Sequence, residues 1–329
     1  MQLEKNKGWI QAVSPFHAGE QAIQTRLGVR DKMENIGRRF IRESMPDQHR
    51  KFYEQLPFVM LGSVDSEGHP WTSLLTAQAR FITSPDAVTL QIQARPLPGD
   101  PLNNTLRENT DIGLLGIELE TRRRNRLNGK IKAVAEDGFA ITVAQSFGNC
   151  PQYIQKRQLH WLPERQTAAP KDPQRFTQFT QPMRRLIANA DTLFIASCYA
   201  ESAESANQGV DVSHRGGKPG FVRIENERTF TFPNFTGNNF YNTLGNLLLN
   251  DRVGILFLDF EAGHILSITG HAEIIWRGEE LKAFEGAEQL VRITADKIIY
   301  LPEALPFRWD FQEYSPSLAF TGHWNQTGL

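Results

Sequence analysis

Apolar positions along the chain fall mostly in short runs of strand length, separated by clusters of Gly, Pro, Asn and Asp. Leu56–Val64 and Thr192–Tyr199 are two such runs. The first ends in the turn-forming Asp65-Ser66-Glu67-Gly68, the second in a longer connection, Ala200–Gln208. Val88–Gln93 and Thr229–Phe232 alternate as strands do, and each leads into a loop rich in Pro, Gly and Asn. Leu102–Asn109 and Phe240–Asn250 then carry apolar residues at helical spacing, the latter stopping at Asn250-Asp251. Ile112–Leu119, Arg126–Ala135 and Phe139–Ser146 read as strands, as do Val253–Phe260, Ile265–Trp276 and Leu290–Tyr300. Ahead of these, Glu20–Ile41 is a long charged stretch with scattered apolar positions, and Asp47–Gln55 predicts a short helix after Pro46. Leu162–Gln174, with Pro163, Pro170 and Pro173, reads as a linker.

The order of elements occurs twice. Thr72–Ile92 lies over Val212–Phe232 without a gap, matching Ser73 with Ser213, Phe81 with Phe221 and Thr89 with Thr229. Asn104-Thr105-Leu106 answers Asn242-Thr243-Leu244, and Ile112–Gly129 lies over Val253–Gly270, with Gly113 on Gly254, Leu115 on Leu256 and Gly129 on Gly270. A duplicated, mainly β domain with minor α follows, each copy about six antiparallel strands around one small helix, closed into a barrel that hides its edges. The expected layout is an N-terminal helical extension over 1–44, a first barrel over 45–161, a linker over 162–175, and a second barrel with its tail over 176–329.

Charge removes several classes of partner. With 36 basic and 37 acidic side chains the formal net charge is −1, too balanced for a general grip on nucleic acid or an anionic membrane. Cys150 and Cys198 fit neither a zinc spacing nor a disulfide framework. The opening MQLEKNKGWIQAV has no apolar core of a signal peptide, and no run reaches the roughly 20 apolar residues that span a bilayer, so a soluble cytoplasmic protein is expected. Motifs of hydrolases, zincins, P-loops and dinucleotide folds are missing from the sequence, and the 8 histidines show no ligand spacing, so no metal site is expected.

Three polar stretches carry the candidate chemistry. Asp211–Phe221, DVSHRGGKPGF, combines a serine, three cationic or potentially cationic side chains and glycines that admit a close ligand; it is either an anion site or a hairpin with solvated charges. Gly237-Asn238-Asn239 directly precedes a helix, where unpaired N–H groups favour a phosphate, or where the asparagines simply cap. Arg122, Arg123, Arg124 and Arg126 concentrate positive charge at the turn between two strands of the first copy, either contacting an anionic substrate or lying solvated at a hairpin tip. Cys150 sits where a short helix is expected to begin, which would depress its thiol pKa if the sulfur is not simply buried.

Four segments, RRRNRLNG at Arg122–Gly129, GNCPQYIQ at Gly148–Gln155, SHRGGKPGF at Ser213–Phe221 with the following Gly237-Asn238-Asn239, and LPFRWDFQEYSPSLAFTG at Leu305–Gly322, together resemble the pyridoxamine 5'-phosphate oxidase-like, FMN-binding split-barrel family, in particular its two-barrel members. The resemblance implies two six-stranded split barrels, non-covalent FMN at an interface between barrels or subunits, and often a homodimer. Carried over by position, Ser213, His214, Arg215, Gly216, Gly217 and Lys218 would surround the flavin ring or ribityl chain, and Thr231, Pro233, Gly237, Asn238, Asn239 and Thr243 its phosphate. The family's oxidases place an Arg-Lys pair where this chain has Asn238-Asn239, so the phosphate's counter-charge has to come from Arg215, Lys218 or Arg223. Leu74, Leu75 and Thr76 stand in the first copy opposite His214, Arg215 and Gly216. At most one flavin site per chain is therefore expected, built mainly by the second barrel, with Arg122–Arg126 or Gly148–Gln155 of the first as the segments that could close it. The implied function is an FMN-dependent oxidoreductase whose small substrate and electron donor the residues do not name. The alternative is a non-catalytic split-barrel binding protein with weak flavin, haem or no cofactor. Neither reading calls for nucleic acid or a membrane.

Overall fold

The computed structural model describes residues 8–77, 80–201 and 205–324. The opening residues, part of the Ala200–Gln208 connection and the end of the C-terminal tail lie outside the described residues.

Helix α1 (Ala18–Arg26) starts in a capping box: the His17 ring accepts from the Gly19 amide and the Glu20 carboxylate from the His17 amide. The long element expected over Glu20–Ile41 is two helices, because Gly28 turns to φ +70° between α1 and α2 (Arg30–Phe40). Helix α3 (Asp47–Glu54) follows Pro46 as expected. The first copy then runs β1 (Phe58–Val64), β2 (Pro70–Thr76), β3 (Ile82–Asp86), β4 (Thr89–Ile92), α4 (Leu102–Thr105), β5 (Asp111–Glu118), β6 (Arg123–Ala135) and β7 (Gly138–Asn149). After β8 (Lys156–Trp161), the expected linker holds a short helix α5 (Pro163–Thr167) and leads to β9 (Gln174–Phe176) and α6 (Gln181–Asn189). The second copy comprises β10 (Thr192–Tyr199), β11 (Gly209–Gly216), β12 (Arg223–Ile224), β13 (Thr229–Phe235), α7 (Asn242–Leu249), β14 (Arg252–Leu258), β15 (Ile265–Ile275), α8 (Glu279–Lys282) and β16 (Ala287–Leu301). Strand β17 (Phe307–Glu313) pairs with β8, and a 3-10 turn (Pro316–Phe320) follows.

The two sheets repeat one topology strand for strand: β2-β1-β5-β6-β7-β4-β3 and β11-β10-β14-β15-β16-β13-β12, with β9 added against β16. Each path has one strand more than the six expected, because β3 and β12, short hairpin partners, are strands in their own right. Register repeats too: Leu61 faces Ser73 as Ile195 faces Ser213, and a bulge falls at Asn128/Gly129 and again at Thr269/Gly270. The fold is mainly β with minor α, two antiparallel sheets of similar size arranged as tandem split barrels behind N-terminal helices.

Each barrel has its own apolar core, around Leu61, Leu90 and Leu114 in the first and Ile195, Phe232 and Ile255 in the second. A third cluster lies between them, joining Met60, Trp71 and Leu74 to Phe194, Val212 and Leu256, and β17 covers it with Phe307 and Trp309. Burying each such Leu, Ile or Phe contributes roughly 1.5–3 kcal/mol. The barrels meet by reciprocal contacts. A Cβ on Gly113 of β5 would lie 2.6 Å from the Val210 carbonyl next to β11's Asp211, and one on the matching Gly254 of β14 would lie 2.7 Å from the Pro70 carbonyl of β2. These paired glycines, seen in the sequence only as repeat identities, let the two backbones approach about an approximate two-fold axis.

Candidate functional site

Strand β6 begins at Arg123, so the arginine run is mostly strand and only Arg122, at φ +58°, lies in the turn. Alternation along β6 separates the side chains. Arg123 turns to Phe52, its guanidinium 4.5 Å from the ring centre, and Arg122 reaches Glu313 at 2.9 Å and the Ile154 carbonyl at 3.0 Å. Arg124 and Arg126, two residues apart, enter a cleft between the barrels.

At the base of that cleft Arg126 pairs with Asp211 of β11 at 3.1 Å and donates to Ser213. Asp211 also accepts from Asn128 at 2.5 Å and from Asn246 of α7 at 3.2 Å, while Thr243 of α7 donates to the Ser213 hydroxyl at 3.1 Å. The ion pair is buried and crosses the barrel interface, so its removal from one side leaves a bare charge in a dry setting.

Above it stand two guanidinium groups without a carboxylate partner among the described residues. Arg124 gives its Nε hydrogen to the Cys150 carbonyl at 2.7 Å, with Nη1 3.5 Å from the His214 Nδ1. Arg215 donates to the His214 carbonyl at 3.1 Å. Burial, and then the charges of Arg124 and Arg126, pushes Arg215 down to about 9. Burial pushes Arg124 down to about 10, opposed by Cys150 and helped by Arg126. Both still carry their charge at neutral pH, and an anion in the cleft would relieve their repulsion. His214 is held well below the usual histidine range by burial and then by Arg124, Arg215 and Arg157, so it is neutral. An arginine only donates, which makes His214 Nδ1 the acceptor and leaves the proton on Nε2, an atom without a partner among the described residues.

The loop from β13 to α7 forms the opposite wall. Asn239 and Tyr241 both adopt left-handed backbone, φ +60° and +61°. The Asn238 side chain accepts the Phe240 amide at 3.2 Å, and Asn239 accepts the Tyr241 hydroxyl at 3.0 Å. Both amide oxygens thus serve the loop itself. Helix α1 packs behind α7, with Glu20 accepting from Asn242; burial first, then the Asp211 charge, raises the Glu20 carboxyl well above its usual range.

The structure brings Ser213, His214, Arg215, Gly216, Pro233, Gly237, Asn238, Asn239, Thr243, Arg124 and Arg126 to one cleft. Four other predicted residues serve elsewhere, besides Arg122 and Arg123. The Gly217 amide bonds the Asp191 carbonyl at 3.0 Å, Lys218 donates to the Thr321 carbonyl at 2.6 Å, Thr231 is fully buried in β13, and Arg223 pairs with Glu225 and Glu280. Of the proposed substitutes for the missing basic pair, Arg215 alone reaches the cleft. The expected helix after Cys150 does not form: the chain passes irregularly, with Tyr153 at φ +63°, because Pro151 and the Tyr153 turn lead directly into β8. Cys150, Gln152 and Tyr153 nonetheless close the cleft's rim. Sequence reasoning missed Asp211 as Arg126's partner, and Glu20, whose only signal is a capping-box spacing. The free space in this partly open cleft is about 100 Å³, the size of a phosphate-like group and below the roughly 300–1,000 Å³ of pockets that bury most of a drug-sized ligand. Among the described residues no cluster of His, Cys, Asp and Glu could hold a metal ion, and no helix is long and apolar enough to cross a membrane.

The family model for pyridoxamine 5'-phosphate oxidase matches twice, over residues 45–169 and 179–307. The chain belongs to this family. Its two matches coincide with the two sheets, so this is a tandem form of the family's split barrel. No curated protein sequence matches the chain. Similar solved structures include HupZ of Group A Streptococcus, 21% identical over 38% of this chain and 96% of that one, TM-score 0.31. A candidate pyridoxamine 5'-phosphate oxidase from Lactobacillus delbrueckii is 13% identical over 37% and 94%, TM-score 0.30. A candidate 5-nitroimidazole antibiotic resistance protein from Bacteroides thetaiotaomicron is 14% identical over 44% and 93%, TM-score 0.26. Likeness at this level bears on neither ligand nor reaction.

Proposed function

We propose that this family member is a split-barrel binding protein whose inter-barrel cleft takes the phosphate end of a flavin nucleotide or a related phosphate ester, with weak rather than tight hold on flavin. The observation that carries this reading is the pair Arg124 and Arg215, two charges without a carboxylate partner among the described residues, facing a partly open space of about 100 Å³. Charge-assisted hydrogen bonds to phosphate are roughly twice as strong as neutral ones, and these two groups are placed to make them. Ser213 and Thr243 add hydroxyls, and the buried Arg126–Asp211 pair fixes β11 against β6 so that the arginines keep their positions. FMN fits in part: its phosphate matches the arginines and the volume, while its three-ring system would have to extend beyond that space toward the open side of the cleft. Neutral His214 presents a buried N–H donor in the same cleft.

Family membership favours a second reading, an FMN-dependent oxidoreductase. In that case FMN would supply the hydride or electron chemistry, and the protein would bind, orient and exclude water. Titration of the purified chain with FMN and with inorganic phosphate, followed by gel filtration and a visible spectrum, separates the two. Exchangeable FMN that phosphate displaces supports the binding protein. Stoichiometric flavin retained through filtration, with peaks near roughly 370 and 450 nm, supports the oxidoreductase. A Soret band on adding haem, with no response to phosphate, would overturn both.

A further inference from the structure

The chain has 2 cysteines, in opposite electrostatic settings. Cys198, in β10, is pushed up to about 12 by burial and then by Asp111 and Asp211. Cys150 follows the end of β7, is half-buried, and lines the inter-barrel cleft beside Arg124. Its sulfur accepts the Gln152 amide at 3.4 Å and donates to the Gln152 side-chain oxygen at 3.0 Å. Its carbonyl holds Arg124 Nε at 2.7 Å, and the same guanidinium extends to His214 at 3.5 Å. One cation thus spans the thiol residue and the neutral imidazole.

Two further atoms in this cleft call for a guest. His214 Nε2 and Arg126 Nε belong to side chains of residues only 2% and 3% exposed, and neither has a partner among the described residues. Both are donors, and unmet buried donors mark a place where an oxygen-bearing molecule is stabilised. Both cysteines are half-buried, but Cys150 has Arg124 beside it whereas Asp111 and Asp211 surround Cys198, and reactive cysteines occupy electropositive surroundings.

We propose that Cys150 is a modification site at which a hydroperoxide converts the thiol to a sulfenic acid within the cleft. The sulfur attacks one peroxide oxygen; the O–O bond breaks and an S–O bond forms. The departing oxygen takes the proton released from the thiol and leaves as water or an alcohol. Sulfur is oxidised by two electrons and the hydroperoxide reduced by two. Arg124, held on the Cys150 carbonyl at 2.7 Å, is a positioning residue in this step.

The full-length chain is exposed to limiting hydrogen peroxide in the presence of dimedone, and the Cys150 and Cys198 peptides are quantified by mass spectrometry. Labelling of Cys150 is expected to exceed that of Cys198 by about tenfold or more, and the denatured chain to lose the preference. Equal labelling in the folded chain, or faster labelling of Cys198, overturns the proposal. Arg124→Gln should lower Cys150 labelling several-fold; unchanged labelling in that variant removes the assigned role of Arg124. The wild-type comparison stands even if the variant folds poorly. Protection by inorganic phosphate reports on the proposed ligand site separately, so either reading can fail without the other.

Discussion

The approximate two-fold axis gives the molecule two equivalent inter-barrel regions, and they have opposite contents. On one side Ser213, His214 and Arg215 of β11 face Arg124 and Arg126 of β6. On the other side the matching positions are Ser73, Leu74 and Leu75 of β2, with Ile265 and Ser267 of β15. Leu74 and Ile265 there join Leu301, Leu305 and Phe307 in the core between the barrels, and the region is filled. Backbone, register and bulge are shared. The lesson is that one interface geometry becomes either a hollow, cationic cleft or a sealed apolar contact according to a few side chains at fixed register. Even the shared serine is used differently: Ser213 meets Arg126 and Thr243, whereas Ser73 donates to the buried Asp100 at 2.5 Å.

The largest effect should come from breaking the charge pair that only the open side possesses. Arg126→Met leaves Asp211 buried and unpaired, and denaturant unfolding should show a loss of about 3–5 kcal/mol, while Ser267→Ala at the matching sealed position costs about 1 kcal/mol or less. The sealed side has a buried charge of its own. Burial raises Asp100 to about 6, against the hydrogen bonds from Ser73 and the Leu102 amide. The folded state therefore holds this proton after the unfolded chain has lost it. Asp100 withdraws stability as pH rises from near 4 to near 6, by about 3 kcal/mol in all, and adds no slope above that window. Asp100→Asn should flatten that part of a pH–stability profile measured by urea unfolding; an unchanged profile would refute the assignment.

Making the open side resemble the sealed one sharpens the comparison further. Arg215→Leu should weaken phosphate or FMN binding by about tenfold or more in calorimetry, with stability kept or raised because a repelled, half-buried charge is gone. The smallest change runs the other way. Asn238→Lys adds charge at the loop and should tighten phosphate binding by roughly threefold to tenfold, an effect that high salt erases.

Much of this was legible from residue order. Turn clusters and period-two alternation gave most strands because a half-buried pleated surface demands that pattern, and repeat identities such as Gly113 with Gly254 gave the duplication. The short strand β3 escaped because Ser84, Pro85 and Asp86 break its apolar alternation and resemble a turn. The arginine run looked like a hairpin tip, since a charge cluster gives no sign of which members alternate inward. Gly217 and Lys218 sit in the same glycine-rich loop as Arg215 yet bond to the Asp191 and Thr321 carbonyls, partners from distant segments.

The sequence by itself determined the β class, the repeat and the residue types able to hold an anion, because local propensity, side-chain period and chemistry are properties of neighbouring positions. Only the tertiary structure decided which side of the two-fold axis is open, that Asp211 consumes the charge of Arg126, and that Arg124 and Arg215 stay without a carboxylate partner among the described residues. Pairing between β6 and β11, from different copies of the domain, depends on how two barrels pack, and distances between segments so far apart in the chain are set by that packing alone.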